Sequence, residues 1–311
     1  MRYCHAMEKA PMKISSEEQS FLYRNQLPLS YLEAANQWFS PIIDSIVHSY
    51  NPDKSPKVIG INGCQGSGKS TLADYLCTVV ADRLDITTIS LSLDDFYLTK
   101  AERTHLGSTI HPLLETRGVP GTHDVQLAMD CLNNLSTGKK TVITRFDKSI
   151  DDRASGEVLK TIEGKIGLIV FEGWCLGALP ESPDDLIQPI NSLEENDDRD
   201  GIWRHYVNQA ILNDYQPLFN LVDELIMLQA PSFDTVFNWR LEQEQKMIKQ
   251  LKKAGIDTGS GVMTEQQILR FISFFQRVTE NILKEMPNRA DHLFKLGLSR
   301  EITQYSRPTL A

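Results

Sequence analysis

Apolar residues along this chain fall into short unbroken runs separated by longer stretches with a helical rhythm. "KVIGIN" (57–62), "ITTISLSL" (86–93), "KIGLIVF" (165–171) and "DELIML" (223–228) are brief β-rich runs that read as strands. Behind the first, Leu72, Leu76, Val80 and Leu84 recur every fourth residue, the pattern of a helix with one buried face. Upstream, Leu32, Ala35, Trp38, Phe39, Ile42, Ile43 and Ile46 keep a helical stripe. Ser30 and Glu33 read as its capping box, and Pro41 is expected to kink or divide it. Near the C-terminus Thr264 and Gln267 form a second capping pair, followed by a broad apolar face of Ile268, Phe271, Ile272, Phe275, Val278 and Ile282. Apolar strands alternating with helices predict an α/β fold, a mostly parallel sheet covered on both faces.

Some segments depart from this rhythm. The first 25 or so residues are polar and weakly patterned and read as a loose arm. "NPDKSP" (51–56) closes the N-terminal piece with turn residues, which divides the chain into an arm with a helical extension (1–54) and a main domain (55–311). Residues 178–201 are acidic and rich in turn formers, the mark of a surface excursion. Residues 234–253 carry many charged and amide side chains in a helical rhythm, as an exposed helix would. "TVITRF" (141–146) and "RADHLFKL" (289–296) are further strand candidates, and no internal repeat is visible.

Charge and cysteines narrow the function. A net charge of −9 over 311 residues argues against a broad basic face for nucleic acid, while leaving room for a local cationic pocket. No run approaches the ~20 apolar residues of a membrane span. The N-terminus is too polar for a signal peptide, and five scattered cysteines without a CxxC pair suggest reduced thiols. The expectation is a cytoplasmic protein with no membrane and no nucleic-acid partner; the oligomeric state is not encoded in any visible pattern.

The strongest chemical signal is "GCQGSGKST", Gly63, Cys64, Gln65, Gly66, Ser67, Gly68, Lys69, Ser70 and Thr71. Gly63, Gly68, Lys69 and Ser70 satisfy G-x-x-x-x-G-K-[ST], between a strand and an amphipathic helix as a phosphate-binding loop requires. Glycines let consecutive backbone N–H groups turn inward on phosphate, and the helix N-terminus adds partial positive charge. Lys69 is placed to reach the β- and γ-phosphates, and Ser70 to join a Mg²⁺ shell.

Two acids follow at strand ends. Asp94 and Asp95 come directly after "ITTISLSL", at the sheet edge where doubly wound folds bind ligands. A carboxylate there can accept a proton from an attacking hydroxyl. Glu172 ends "LIVFEGW", a Walker B position that can hold Mg²⁺ directly or through water.

"GINGCQGSGKSTL", "SLDDFYLT", "RGVPGTHD", "RFDKSIDDR", "FEGW" and "WRLEQE" occur in the order seen in P-loop D-glycerate 3-kinases, a branch of the uridine kinase, phosphoribulokinase and pantothenate kinase superfamily that this chain resembles. The likeness runs from about residue 55 to the C-terminal region. It implies a P-loop NTPase three-layer sandwich with a helical lid at about 232–262. It also implies ATP and Mg²⁺ as cofactors and glycerate as the small-molecule acceptor. By the same resemblance Asp94 is the catalytic base and, with Ser70 and Glu172, a metal-side residue. Asp95, Tyr97, Arg117, His123, Asp124, Asp147 and Arg153 lie on the acceptor side, and Arg240 is a lid arginine that approaches the phosphates.

Independently of the resemblance, glycerate needs a bidentate arginine for its carboxylate and Asp or His groups for its hydroxyls. Arg117, Arg145, Lys148 and Arg153 supply positive charge, tempered by Asp124, Asp147, Asp151 and Asp152, so some of these form structural salt bridges. His123 fits a buried hydrogen-bonded histidine equally well, and Arg240 with Glu244 fits an i,i+4 surface pair. Two other readings stay open: a kinase for a nucleoside or pantothenate-like acceptor, and a regulatory P-loop ATPase. A GTPase is disfavoured, since no N-K-x-D is present and "DRDG" (198–201) lies in the acidic loop.

Overall fold

The computed structural model describes residues 14–156, 159–253 and 263–308. Among the described residues ten strands occur in chain order: β1 Lys57–Gly63, β2 Thr88–Ser92, β3 Thr141–Val142, β4 Phe146–Asp147, β5 Asp152–Arg153, β6 Thr161–Ile162, β7 Leu168–Gly173, β8 Glu224–Gln229, β9 His292–Leu296 and β10 Ile302–Ser306. The helices are α1 Ser16–Asn25, α2 Ser30–Ser49, α3 Lys69–Leu84, α4 Lys100–Thr109, α5 Val125–Ser136, α6 Ser192–Asp197, α7 Ile202–Ala210, α8 Gln216–Phe219, α9 Phe233–Lys253 and α10 Glu265–Glu285.

Six strands form one sheet in the order β10-β9-β8-β1-β7-β2, parallel throughout except for β10, which runs antiparallel to β9. The two faces of β1 explain the layering. Ile59 and Ile61 join Leu168, Val170, Ile226 and Leu228 in a core shared with buried residues of α1, α2 and α3. Val58 joins Ile169, Phe171, Met227 and Leu293 in a second core, completed by α5, α7 and α10. Successive residues of a strand point to opposite faces, so a strand buried on both sides must be apolar throughout. The register pairs Ile61 and Ser92 with Glu172, which brings the C-terminal ends of β1, β2 and β7 level. That edge is where the candidate site forms.

Several sequence expectations are corrected. Residues 16–25 are helical rather than loose: Ser15 and Glu18 make a full capping box, and Phe21 is buried beside Tyr31 and Tyr75. Ser30 is instead the first residue of α2, behind Leu29, and no side chain caps that helix. Pro41 does not divide α2. Its ring sits on the exposed side, and Leu32, Ala35, Phe39, Ile42, Ile43 and Ile46 on both sides of it share one core. "TVITRF" is not one strand: it yields the two residues of β3, paired with β6, and Phe146, the first residue of β4, paired with β5. The acidic stretch 178–201 is not merely superficial. Glu194 is fully buried against Arg277 of α10, with Oε1 and Oε2 each accepting at 2.7 Å. Asp198 is buried against Arg204. In α9, Val236 and Trp239 are buried, so only part of that helix faces solvent. The lid expected at about 232–262 falls partly outside the described residues.

Candidate active site

The phosphate loop turns through two left-handed glycines, Gly66 (φ +81°) and Gly68 (φ +90°), conformations that a side chain would strain. At Gly63 the constraint is steric, because a methyl there would lie 2.4 Å from Ser67 Oγ. Gly68 hands directly into α3, so Lys69 and Ser70 open that helix. The Ser70 hydroxyl donates to Glu172 Oε1 at 2.7 Å, and Lys69 Nζ lies 3.7 Å from Glu172 Oε2. Burial disfavours the Lys69 ammonium, but Glu172 and Asp94 outweigh it and hold its pKa above the ordinary value.

Glu172 is the penultimate residue of β7 and is 4% exposed. The segment after it is pinned by Asn62 of β1, whose side-chain amide donates to the Trp174 carbonyl at 3.1 Å and the Leu176 carbonyl at 2.9 Å. Among the described residues Glu172 Oε2 is buried with no hydrogen-bond partner. A buried, unsatisfied carboxylate oxygen beside a loop hydroxyl fits a hard cation that takes oxygen ligands. The donor set therefore fits Mg²⁺ with Ser70 and Glu172 as its protein side. Asp94 fits that role less well, since both of its oxygens are already engaged. Among the described residues no group of three or more His, Cys, Asp or Glu side chains is arranged to hold a metal.

Asp94 sits in a 3₁₀ turn, Leu93–Phe96, which Ser92 Oγ caps by accepting from Asp94 N. Leu93 and Phe96 are buried and so anchor the turn. The Tyr97 hydroxyl donates to Asp94 Oδ1 at 2.9 Å, and Lys148 Nζ to Oδ2 at 2.7 Å. Burial pushes the Asp94 carboxyl up, but the charges of Lys148 and Lys69 outweigh it and hold the group down to about 2. Asp94 is thus ionised across the physiological range.

A cavity of 270 Å³ opens beside these groups. Lys69, Asp94, Tyr97, Arg117, Lys148 and Arg240 line it, so four cations face one carboxylate among its lining side chains. Arg117 pairs with Asp151 and lies over the Phe146 ring at 5.4 Å; Arg240 lies over the Phe271 ring at 5.8 Å. Asp151 also holds the buried Arg103 at 3.0 Å, so one carboxylate steadies two guanidinium groups.

The other sequence candidates lie around the cavity rather than in its wall. Asp95 pairs with Arg145 at 2.5 Å. Asp124 caps α5 through Leu127 N and pairs with Arg153, whose Nε donates to the Tyr97 carbonyl. His123 stacks on Tyr97 with ring centroids 4.4 Å apart, and its Nδ1 lies 2.6 Å from the Tyr215 hydroxyl. Burial lowers the His123 pKa to about 4, slightly countered by Asp94, so the ring is neutral. Asp147 turns to its own loop and accepts from Ser149 N and Oγ. Sequence reasoning missed the apolar wall made by Trp174, Phe271 and Phe275. The two phenylalanines were legible only as the apolar face of α10, and Trp174 only as the residue two after Glu172.

No family model matches the chain. Relatives do. The chain is 35% identical over 234 residues to the uncharacterized kinase mug58 of Schizosaccharomyces pombe, covering 72% of this chain and 80% of that one. It is 30% identical over 274 residues to the chloroplastic D-glycerate 3-kinase of Arabidopsis thaliana, covering 83% of this chain and 55% of that one. Among solved structures, D-glycerate 3-kinase from Cryptococcus neoformans superposes with a TM-score of 0.71 at 25% identity, covering 90% of this chain and all of that one. With its phosphate loop, strand-end acids and parallel sheet in this arrangement, the chain belongs to the P-loop kinase superfamily and has glycerate-kinase-like relatives there.

Proposed function

We propose that this chain transfers the γ-phosphoryl group of ATP to a hydroxyl of a small anionic acceptor, D-glycerate, giving 3-phosphoglycerate and ADP. The observation that carries the reading is the shared 270 Å³ cavity, which Lys69 of the phosphate loop and Asp94 both line. Its excess of cations suits an acceptor with a carboxylate, and its size lies below the roughly 300–1,000 Å³ of larger ligand clefts. That favours glycerate over a nucleoside. Two of the relatives described above are named D-glycerate 3-kinase, which supports the same choice.

In this reading the acceptor hydroxyl displaces a donor now on Asp94, either the Tyr97 hydroxyl or the Lys148 ammonium, and hydrogen-bonds to that carboxylate. A carboxyl held near 2 is a weak base, so Asp94 acts chiefly by aligning the hydroxyl and accepts its proton late. The bond from the acceptor oxygen to phosphorus forms as the bond to the β-phosphate oxygen breaks. Lys69 and Arg240 are cations placed to offset the charge on the transferring group. Arg117 and Lys148 are the candidates for the acceptor carboxylate. Ser70 and Glu172 would hold Mg²⁺, which would supply positive charge to offset that of the donor phosphates.

Among the described residues no helix is long and apolar enough to cross a membrane. Cytoplasmic residence is part of the same proposal, supported by the free thiols of the four cysteines among the described residues. The test is an acceptor screen with the purified chain, following ADP release with D-glycerate, nucleosides and pantothenate in parallel. D-Glycerate should raise turnover far above the acceptor-free rate. Turnover that no acceptor stimulates would favour a regulatory ATPase, and stimulation by pantothenate or a nucleoside alone would replace the acceptor.

A further inference from the structure

We propose that Gln65, in the phosphate loop, helps to select the acceptor: its side-chain carbonyl takes the hydrogen bond of the acceptor's second hydroxyl, the one that is not phosphorylated. The inference rests on the glycerate reading above and gives the donor loop a part in acceptor specificity.

D-Glycerate brings a carboxylate, an attacking hydroxyl and a middle hydroxyl into the 270 Å³ cavity. Arg117 and Lys148 are the candidates for the carboxylate, and Asp94 for the attacking hydroxyl. The middle hydroxyl has a proton to donate, and a donor taken out of water without a partner weakens binding. Lys69, Arg117, Lys148 and Arg240 line the cavity as cations, which donate and cannot accept. Trp174 Nε1 is also a donor, already spent on the Gly118 carbonyl at 2.9 Å. The lining side chains that can accept are Gln65, Asp94 and Tyr97. Asp94 carries a donor on each oxygen, one of them the Tyr97 hydroxyl. Gln65 Oε1 is buried and has no hydrogen-bond partner among the described residues. A buried oxygen of that kind marks a place where a ligand supplies the proton. The donor phosphates do not supply it, because their ionised oxygens are themselves acceptors.

The loop fixes where Gln65 stands. Ser67 N donates to the Cys64 carbonyl at 3.1 Å, closing a reverse turn with Gln65 and Gly66 at its centre. Gly66 takes a φ of +81° at the third position of that turn, where glycine is favoured. Cys64 is buried on one side, and on the other Arg300 Nε donates to the Gly66 carbonyl at 2.9 Å. Lys69, from the same loop, lines the same cavity. One loop thereby reaches both reactants, Lys69 the transferring group and Gln65 the acceptor.

The test is a substrate contrast on the full chain, kcat/KM for D-glycerate against 3-hydroxypropanoate. The second compound keeps the carboxylate and the attacking hydroxyl and lacks the middle one. The unaltered chain should favour D-glycerate by about tenfold or more, the reach of a hydrogen bond whose loss strands a buried group. Gln65→Met keeps the side chain's length without its carbonyl and should bring the two acceptors within about threefold of each other. General damage to the phosphate loop lowers both acceptors alike and leaves their ratio standing, so an unchanged ratio in Gln65→Met overturns the proposal. Tyr97→Phe should keep the preference for D-glycerate; a preference lost there and kept in Gln65→Met gives the hydroxyl to the phenol and also overturns it. Where Gln65→Met turns over too slowly, calorimetric affinities for the two acceptors in the presence of ADP yield the same ratio. If the unaltered chain uses both acceptors equally well, no group reads the middle hydroxyl, and this proposal fails while the kinase reading stands. If it phosphorylates neither, the glycerate reading falls and this proposal with it.

Discussion

Lys148 Nζ lies 2.7 Å from Asp94 Oδ2, on a carboxylate whose other oxygen takes the Tyr97 hydroxyl at 2.9 Å. This pair holds the candidate base ionised and keeps it aimed at the cavity. Asp94→Asn should therefore lower kcat by about 10²–10⁴-fold, the usual reach of an acid–base group, while ADP affinity stays near that of the unaltered chain. An equal loss of nucleotide binding would assign Asp94 to the donor side instead. Lys148→Met removes the largest charge holding the carboxyl down, so the Asp94 pKa should rise from about 2 towards the ordinary carboxylate value. A higher pKa means protonation sooner on acidification. The acid limb of the kcat–pH profile should shift upward in the variant, and an unmoved limb would show that Asp94 does not govern it.

Lys69 lies between the strand-end acids and the phosphate cradle. Lys69→Ala should weaken ADP binding and reduce kcat together, by about tenfold or more in each, since the side chain is offered to both ground-state and transferring phosphates. Equilibrium binding and initial rates, measured on one preparation, check this. A loss of rate alone would confine Lys69 to the chemical step.

Arg117 is a candidate for the acceptor carboxylate, with Asp151 as its present partner. Arg117→Ala should raise the acceptor KM by about tenfold or more and leave the ATP KM within about twofold, because a bidentate charged contact is lost on one ligand only. Arg117→Lys should recover a minor part, since an ammonium lacks the planar fork. The opposite pattern of KM values would move Arg117 out of the acceptor site.

His123 makes stability fall on acidification. Burial holds its folded pKa at about 4, below the ordinary 6.5. Between those values the unfolded chain binds a proton that the folded chain refuses, so stability declines as pH drops from about 6.5 to about 4. The slope is on the order of 1 kcal/mol per pH unit for one full proton. Urea unfolding at a series of pH values should give that decline in the unaltered chain and a flatter profile in His123→Gln. Parallel profiles would place the acid sensitivity elsewhere.

Arg277 anchors the acidic stretch to α10 through the fully buried Glu194, with further bonds to Glu181 and the carbonyls of Asp185 and Gln188. Arg277→Met strands that buried carboxylate and should cost about 3–5 kcal/mol in unfolding free energy. Arg277→Met with Glu194→Met should recover part of it, because no lone charge remains. A single variant with unchanged denaturation would mean the excursion is held by its apolar contacts alone.

Much of the site was legible in order but not in contact. Gly63 to Ser70, Asp94 and Glu172 stood out because glycine spacing and acids at strand ends are local signals. Asp95, His123, Asp124, Asp147 and Arg153 sit in motifs of the same apparent strength, yet they form the ring around the cavity and not its wall. The sequence could not separate these groups, since which side of a turn faces the ligand depends on where Leu93, Phe96 and Tyr97 find their packing. The first helix went unread for a related reason: it has a single buried residue, Phe21, too little to set a periodic pattern.

The sequence by itself determined the alternation of apolar strands and amphipathic helices, the phosphate loop and the acids at its level of the sheet. These follow from spacing of 2 and of 3.6 residues and from glycine's freedom at positive φ, all properties of neighbouring residues. Tertiary structure decided what lies far apart in the chain. It set Lys148 on Asp94, Glu194 under Arg277, Arg300 against Gly66 and α2 beside the phosphate loop. Charge pairs and cavity walls of that kind are fixed by the order of strands in the sheet and by which face each helix covers, and no local pattern records either.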